Sequence, residues 1–105
     1  MTDKVVVLVT AASKKECRKI AEHLVERKLA ACVNIVPGAR SVYRWKGEVE
    51  EAPEFVLLIK SRRDRFDALR QALAAAHSYE VPEVIALPVV DGSEEYLAWL
   101  DREVS

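Results

Sequence analysis

Residues 29–47, LAACVNIVPGARSVYRWKG, constrain the fold of this chain more than any other stretch. They carry β-branched and aromatic side chains and end on a Lys-Gly step, the pattern of a long strand entering a hairpin turn. Pro37-Gly38 interrupts the run. Proline has no N–H for a ladder, so the strand bends or bulges there before resuming at Arg40. Ser41, Tyr43 and Trp45 then share one face, with Val42 and Arg44 on the other. Lys46-Gly47 is the turn. The return strand begins near Glu48 and becomes strongly apolar over residues 55–59, with Pro53 marking an edge or a bulge in its first half. A small domain cannot cover a hairpin of this length by itself. The feature points to a partner chain before it points to any chemistry.

Around this hairpin the periodicity supplies the remaining elements. Residues 4–10, KVVVLVT, form a continuous β-branched run, suited to a strand covered on both faces or central in a sheet. Ser13-Lys14-Lys15-Glu16 has the capping-box spacing, and Cys17, Ile20, Ala21, Leu24 and Lys28 follow at helical intervals, with His23 off that stripe and toward solvent. Residues 64–76 predict a second helix with Phe66, Leu69, Leu73 and Ala76 on its apolar side. After a loop holding Pro82, residues 84–87 predict a fourth strand, extended by Val89-Val90. Ser93 caps a last helix whose buried side carries Tyr96, Leu97, Leu100 and Val104. Strand, helix, strand, strand, helix, strand, helix is the split βαβ order of an α+β, ferredoxin-like sandwich, here with a long hairpin between the second and third strands and an extra C-terminal helix. No repeat, linker or low-complexity segment divides residues 1–105, which read as a single domain.

Composition narrows the function classes. The chain has 105 residues, 50% of them hydrophobic, so it can bury a sizeable core. Its 16 basic and 17 acidic residues give a net charge of −1. Nothing resembles a phosphate-tracking surface, and nucleic acid is not an expected partner. The apolar run over residues 5–9 is too short for a signal-peptide core or a bilayer span, so no membrane partner and a cytoplasmic location are expected. Cys17 on a helical stripe and Cys32 in a strand read as small buried hydrophobes. The chain lacks a Ser-His-Asp order with a nucleophile elbow, a CxxC, an HExxH and a glycine-rich phosphate loop, and the expectation is a protein without catalysis.

Three groups of side chains remain as candidates. His77 ends the second helix just before Tyr79, Glu80 and Glu83. Imidazole with nearby carboxylates suits copper or zinc, and the same histidine suits a helix C-terminus through the helix dipole. Tyr43, Trp45, Tyr79, Tyr96 and Trp99 are many aromatics for a small domain; they are anchors of core and interface, or they line a ligand cleft between subunits. Lys60, Arg62, Arg63 and Arg65 form a basic block opposite an acidic one, Glu48, Glu50, Glu51 and Glu54. The two blocks pair between subunits or face solvent.

Four blocks in order, LAACVN with Pro37-Gly38, SVYRWKG, YEVPE and YLAWL, resemble the CutA family of divalent-cation tolerance proteins across essentially the whole chain. The resemblance implies a ferredoxin-like homotrimer, similar in architecture to the nitrogen-regulatory PII proteins, with hairpins packed across subunits. It implies a role in divalent metal-ion tolerance; Cu²⁺ is the expected ion by affinity order, bound weakly and not required for folding. His77 is the only soft ligand that matches the family, and Glu80 and Glu83, from the loop after it, are the candidate assistants for Cu²⁺ or another divalent cation. The family commonly has His-Pro-Tyr where this chain has His77-Ser78-Tyr79. Some copper-linked bacterial members also carry cysteine at the position of Val9 and histidine at that of Ala76. A second reading is a PII-like small-molecule sensor or scaffold, with Tyr43, Trp45, Tyr79 and Trp99 in an intersubunit cleft or interface. A third makes trimer stability itself the selected property.

Overall fold

Side chains of β1 (Lys4–Ala11) alternate between two environments, as a strand's period of two requires. Val5, Val7, Val9 and Ala11 are buried, whereas Val6, Leu8 and Thr10 are only half-covered. The uniform valine run therefore marks a central strand with one dry face. The computed structural model describes residues 1–105. After β1 come α1 (Lys14–Glu26), β2 (Cys32–Trp45), β3 (Glu48–Arg62), a single 3₁₀ turn (Arg63–Arg65), α2 (Phe66–Ala76), β4 (Val84–Pro88) and α3 (Glu94–Glu103). The sheet runs β2-β3-β1-β4 with every neighbouring pair antiparallel. That is the ferredoxin-like order the periodicity predicts.

Both α1 and α2 cover one face. Their Cys17, Ile20, Leu24, Leu69 and Leu73 pack on Val5, Val7, Val9, Leu57 and Ile59 in the main core. Ser13 caps α1, its Oγ accepting from the Glu16 N–H at 3.2 Å. The reciprocal half of the expected capping box does not form, because the Glu16 carboxylate reaches the Ser78 N–H instead, at 2.8 Å. Lys28 does not extend the stripe. It lies beyond the helix end in the left-handed region (φ 59°) and is exposed. The second helix begins with the 3₁₀ turn, so its α-helical part starts two residues later than its spacing predicts. Val89 continues the pairing of β4, exchanging backbone hydrogen bonds with Thr2 and Lys4.

The C-terminal helix packs on a separate small cluster of Ala31, Leu100 and Val104, with Trp99 beside it. Tyr96, expected on the buried side, is exposed. Arg62 holds this helix by its end, donating to the Asp101 and Val104 carbonyls at 3.3 and 2.9 Å. Lys4 pairs with Asp101 at 3.1 Å. The basic block is thus partly spent inside the chain: Arg62 also pairs with Asp64, and Lys60 contacts Asn34.

The ladder between β1 and β3 ends at Ala11 and Phe55. Beyond it β2 and β3 continue alone as a two-stranded ribbon, and the molecule reaches 44 Å along its longest axis. Lys46 and Gly47 close the ribbon with φ of 51° and 84°, the positive values a two-residue turn demands. At the foot of the ribbon Val36 pairs with Val56 but Ala39 pairs with Glu54. Pro37 and Gly38 therefore oppose Phe55 alone, a β-bulge with Gly38 at φ 87°. The extra residue switches faces. Before it Asn34 and Val36 share a face with Leu58 and Val56; after it Ser41, Tyr43 and Trp45 share that same side with Ala52, Glu50 and Glu48.

Candidate functional site

The turn after α2 is built around His77. Its backbone N–H closes the helix on the Leu73 carbonyl at 2.9 Å, and its ring is buried. Nδ1 accepts the Tyr79 backbone N–H at 3.1 Å, which leaves the proton on Nε2, and Nε2 donates to the Thr10 carbonyl at 2.7 Å. One imidazole thereby joins the end of α2, the end of β1 and the following loop. Both ring nitrogens are engaged, in agreement with a role at the helix terminus. The tyrosine ring packs 4.6 Å from the imidazole, centroid to centroid.

From there Tyr79 reaches the ribbon. Its hydroxyl donates to Glu54 Oε2 at 2.6 Å. Burial pushes the phenol well above its ordinary range, and the hydrogen bond to Glu54 adds to the rise. Glu54 is itself only 8% exposed, and neither an ion pair nor a second hydrogen bond reaches its other oxygen. That oxygen is not buried away from water, so the carboxylate keeps contact with solvent through the cleft.

Between ribbon and loop lies a cleft of about 560 Å³, on the helix-free side of the sheet beside Thr10. Tyr43, Trp45 and Tyr79 supply its aromatic surface; Glu50, Glu54, Glu80 and Glu83 supply its charge. No lysine, arginine or histidine lines it. None of the four carboxylates belongs to an ion pair, since the ribbon's own pair, Arg40 with Glu51 at 3.4 Å, sits on the opposite face. The bulge produces this segregation, because without it Tyr43 and Trp45 would face away from Glu50 and Glu54.

Of the residues singled out in the sequence, Tyr43, Trp45, Tyr79, Glu80 and Glu83 meet in this cleft. His77 supports the loop from beneath and is not among its lining residues. Trp99 lies apart, stacked 5.5 Å from Tyr96 at the C-terminal helix. No group of three or more histidine, cysteine, aspartate or glutamate side chains converges in metal-holding geometry within the chain. Glu50 and Glu54 belong to the cleft and were legible only as members of an acidic block. Cys17 is buried and its thiol pushed up by that burial, which makes it a poor nucleophile. Cys32 is half-exposed.

Outside the cleft, the helix-free face is apolar. Val6, Leu8, Val56, Leu58, Ile85 and Leu87 lie along it, and Ile85 and Leu87 are 50% and 46% exposed. Neither α1 nor α2 covers them.

A family model described as CutA1 divalent ion tolerance protein matches residues 5–103. The chain is 53% identical over 95 residues to the divalent-cation tolerance protein CutA of Thermus thermophilus, covering 90% of this chain and 92% of that protein. It is 49% identical over 96 residues to the chloroplastic protein CutA of Arabidopsis thaliana, covering 91% of this chain but 53% of the plant protein. The solved structure of the Thermus thermophilus divalent cation tolerance protein superposes with a TM-score of 0.95 at 49% identity, covering 97% of this chain and 99% of that one. CutA from Xylella fastidiosa superposes at 0.96 with 38% identity, covering 99% and 100%.

Proposed function

Because the chain belongs to the CutA1 divalent ion tolerance family, we propose that it is a non-catalytic, homotrimeric protein of divalent metal-ion tolerance, that copper is its principal ion, that it binds that ion weakly, and that it works in the cytoplasm. The feature that supports the metal reading is the turn after α2, where His77 is followed within six residues by Glu80 and Glu83, two carboxylates without cationic partners. Among divalent first-row ions Cu²⁺ binds nitrogen and oxygen sets most tightly. To ligate through Nδ1 it must displace the Tyr79 N–H, and that competition keeps affinity low. On this reading the ion is not required for folding, an expectation supported by a main core built of apolar side chains. The uncovered sheet face and the projecting ribbon support the trimer, because closed symmetry would bury both. No helix is long and apolar enough to cross a membrane.

Calorimetric titration of Cu²⁺, Zn²⁺ and Ca²⁺ into the untagged protein, beside His77→Ala, tests this. Saturable Cu²⁺ binding at a whole number of ions per trimer, lost in the variant, is expected. Equal and weak binding by both proteins overturns His77 as a ligand.

The cleft favours a second reading, a PII-like sensor or scaffold for a small molecule. Its volume is within the roughly 300–1,000 Å³ of ligand pockets, and aromatic walls with a few placed polar groups are the usual lining. On this reading binding depends on Trp45 and Tyr79 rather than on His77, and fluorescence of Trp45 in a Trp99→Phe background reports it.

A further inference from the structure

We propose that Asp91-Gly92, in the segment between β4 and α3, is a modification site at which aspartate converts spontaneously to isoaspartate through a cyclic imide, loosening α3. The Gly92 backbone nitrogen attacks Asp91 Cγ. An N–Cγ bond forms and a Cγ–O bond breaks; the oxygen leaves as water, taking the amide proton and the carboxyl proton. Water then opens the five-membered imide. Attack at Cγ restores aspartate, whereas attack at the main-chain carbonyl of Asp91 leaves the chain running through Cβ and Cγ. One water is released and one taken up, so the chain keeps its mass and needs no other reactant.

The structure singles out this site among those of its kind. The chain has five aspartates and one asparagine, and only Asp91 precedes a glycine. The residues after Asp64, Asp67 and Asp101 are held in the 3₁₀ turn, in α2 and in α3, and the one after Asn34 is the β-branched Ile35 within β2. Asp3 precedes Lys4, whose N–H donates to the Thr2 hydroxyl at 3.0 Å. Gly92 is unlike all of these. Asp91 and Gly92 are exposed, lie in no helix or strand, and make no backbone–backbone hydrogen bond. The Gly92 N–H donates to Asp91 Oδ1 at 2.9 Å, so the carboxyl group is already folded onto the nitrogen that attacks it. Glycine sets no Cβ beside that nitrogen and leaves the backbone free to turn into the ring.

The neighbours give the conversion its consequence. Ser93 caps α3, its Oγ accepting from the Tyr96 N–H at 3.2 Å. Leu97 Cδ2 stands only 3.3 Å from where a Cβ on Gly92 would lie, so this residue packs on the first turns of the helix. Isoaspartate adds a carbon to the main chain immediately before that cap. The helix buries only Leu100 within its own length, and a short helix with so small an anchor depends on its cap.

The test is incubation of the full chain, as the assembly it forms, in heavy-oxygen water at neutral pH and body temperature, followed by peptide mapping. An isoaspartyl peptide separates from its parent, resists cleavage at Asp91 by an aspartate-specific protease, and carries the heavy oxygen that opened the imide. Progressive conversion at Asp91, and none at the other four aspartates or Asn34, is expected. Gly92→Ala should slow it at least about tenfold by placing a Cβ beside the attacking nitrogen. Asp91→Glu should abolish it, because its imide would need a six-membered ring. Hydrogen exchange of the converted protein should be faster over residues 94–103 and unchanged over residues 14–26. No conversion in the assembled protein overturns the proposal, as does conversion spread over several aspartates or unchanged in Gly92→Ala. Conversion with unchanged exchange over residues 94–103 overturns the loosening of α3.

Discussion

At the scale of the residue, His77 and Tyr79 do most to fix the site. His77→Ala removes two hydrogen bonds and takes a partner from the Thr10 carbonyl and the Tyr79 N–H, both in half-buried surroundings. The expected loss is about 1–3 kcal/mol, read from the urea midpoint; no change would mean that water replaces the ring. Tyr79 gives a pH dependence. Burial and the Glu54 hydrogen bond raise its pKa in the folded chain, whereas the unfolded tyrosine ionises at about pH 10. Above that pH the folded state holds the proton that the unfolded state has released, so stability falls as pH rises. Tyr79→Phe should flatten this alkaline limb, and an identical limb in both proteins would remove Tyr79 as its source. Sequence reasoning reached His77, Tyr79, Glu80 and Glu83 through their clustering after a helix. It did not reach Glu54, because a carboxylate one residue after Pro53 in an acidic run carries no mark of burial, and its partner Tyr79 lies 25 residues on.

At the scale of the element, the bulge in β2 decides which side chains meet. Gly38 sits at φ 87° with nothing within 4 Å of an added Cβ, so the cost of Gly38→Ala is conformational rather than steric. Roughly 1 kcal/mol is expected in the denaturation midpoint, the usual penalty for a side chain in the left-handed region; an unchanged midpoint would contradict the strained bulge. Pro37-Gly38 announced the interruption in the sequence, and Lys46-Gly47 announced the turn. Their consequence was hidden, since a slip of one residue exchanges faces and only the paired register shows on which side Tyr43 and Trp45 emerge. The N-terminus of α1 was half legible in the same way. Ser13 caps as its spacing predicts, but Glu16 serves Ser78, a partner 62 residues away that local spacing cannot reveal.

At the scale of the whole molecule, the order of elements and their packing followed from periodicity, while the two faces of the sheet did not. Within residues 5–9, VVVLV, inward and outward residues are equally apolar, so the alternation of burial there leaves no trace in composition. That equality itself suits a second buried face, one supplied by other copies of the chain. Ile85→Glu, half-exposed on the edge strand β4 opposite Leu8, should shift the assembly toward monomer in sedimentation equilibrium while leaving the helix-covered core intact. An unchanged mass would put the interface elsewhere. The central claim, a trimer that takes up copper through the turn after α2, is tested most directly by native mass spectrometry at increasing Cu²⁺. The account predicts a trimer that gains up to one copper per chain, with the uptake lost in His77→Ala; a monomer, or a trimer whose uptake is the same in both proteins, would contradict it.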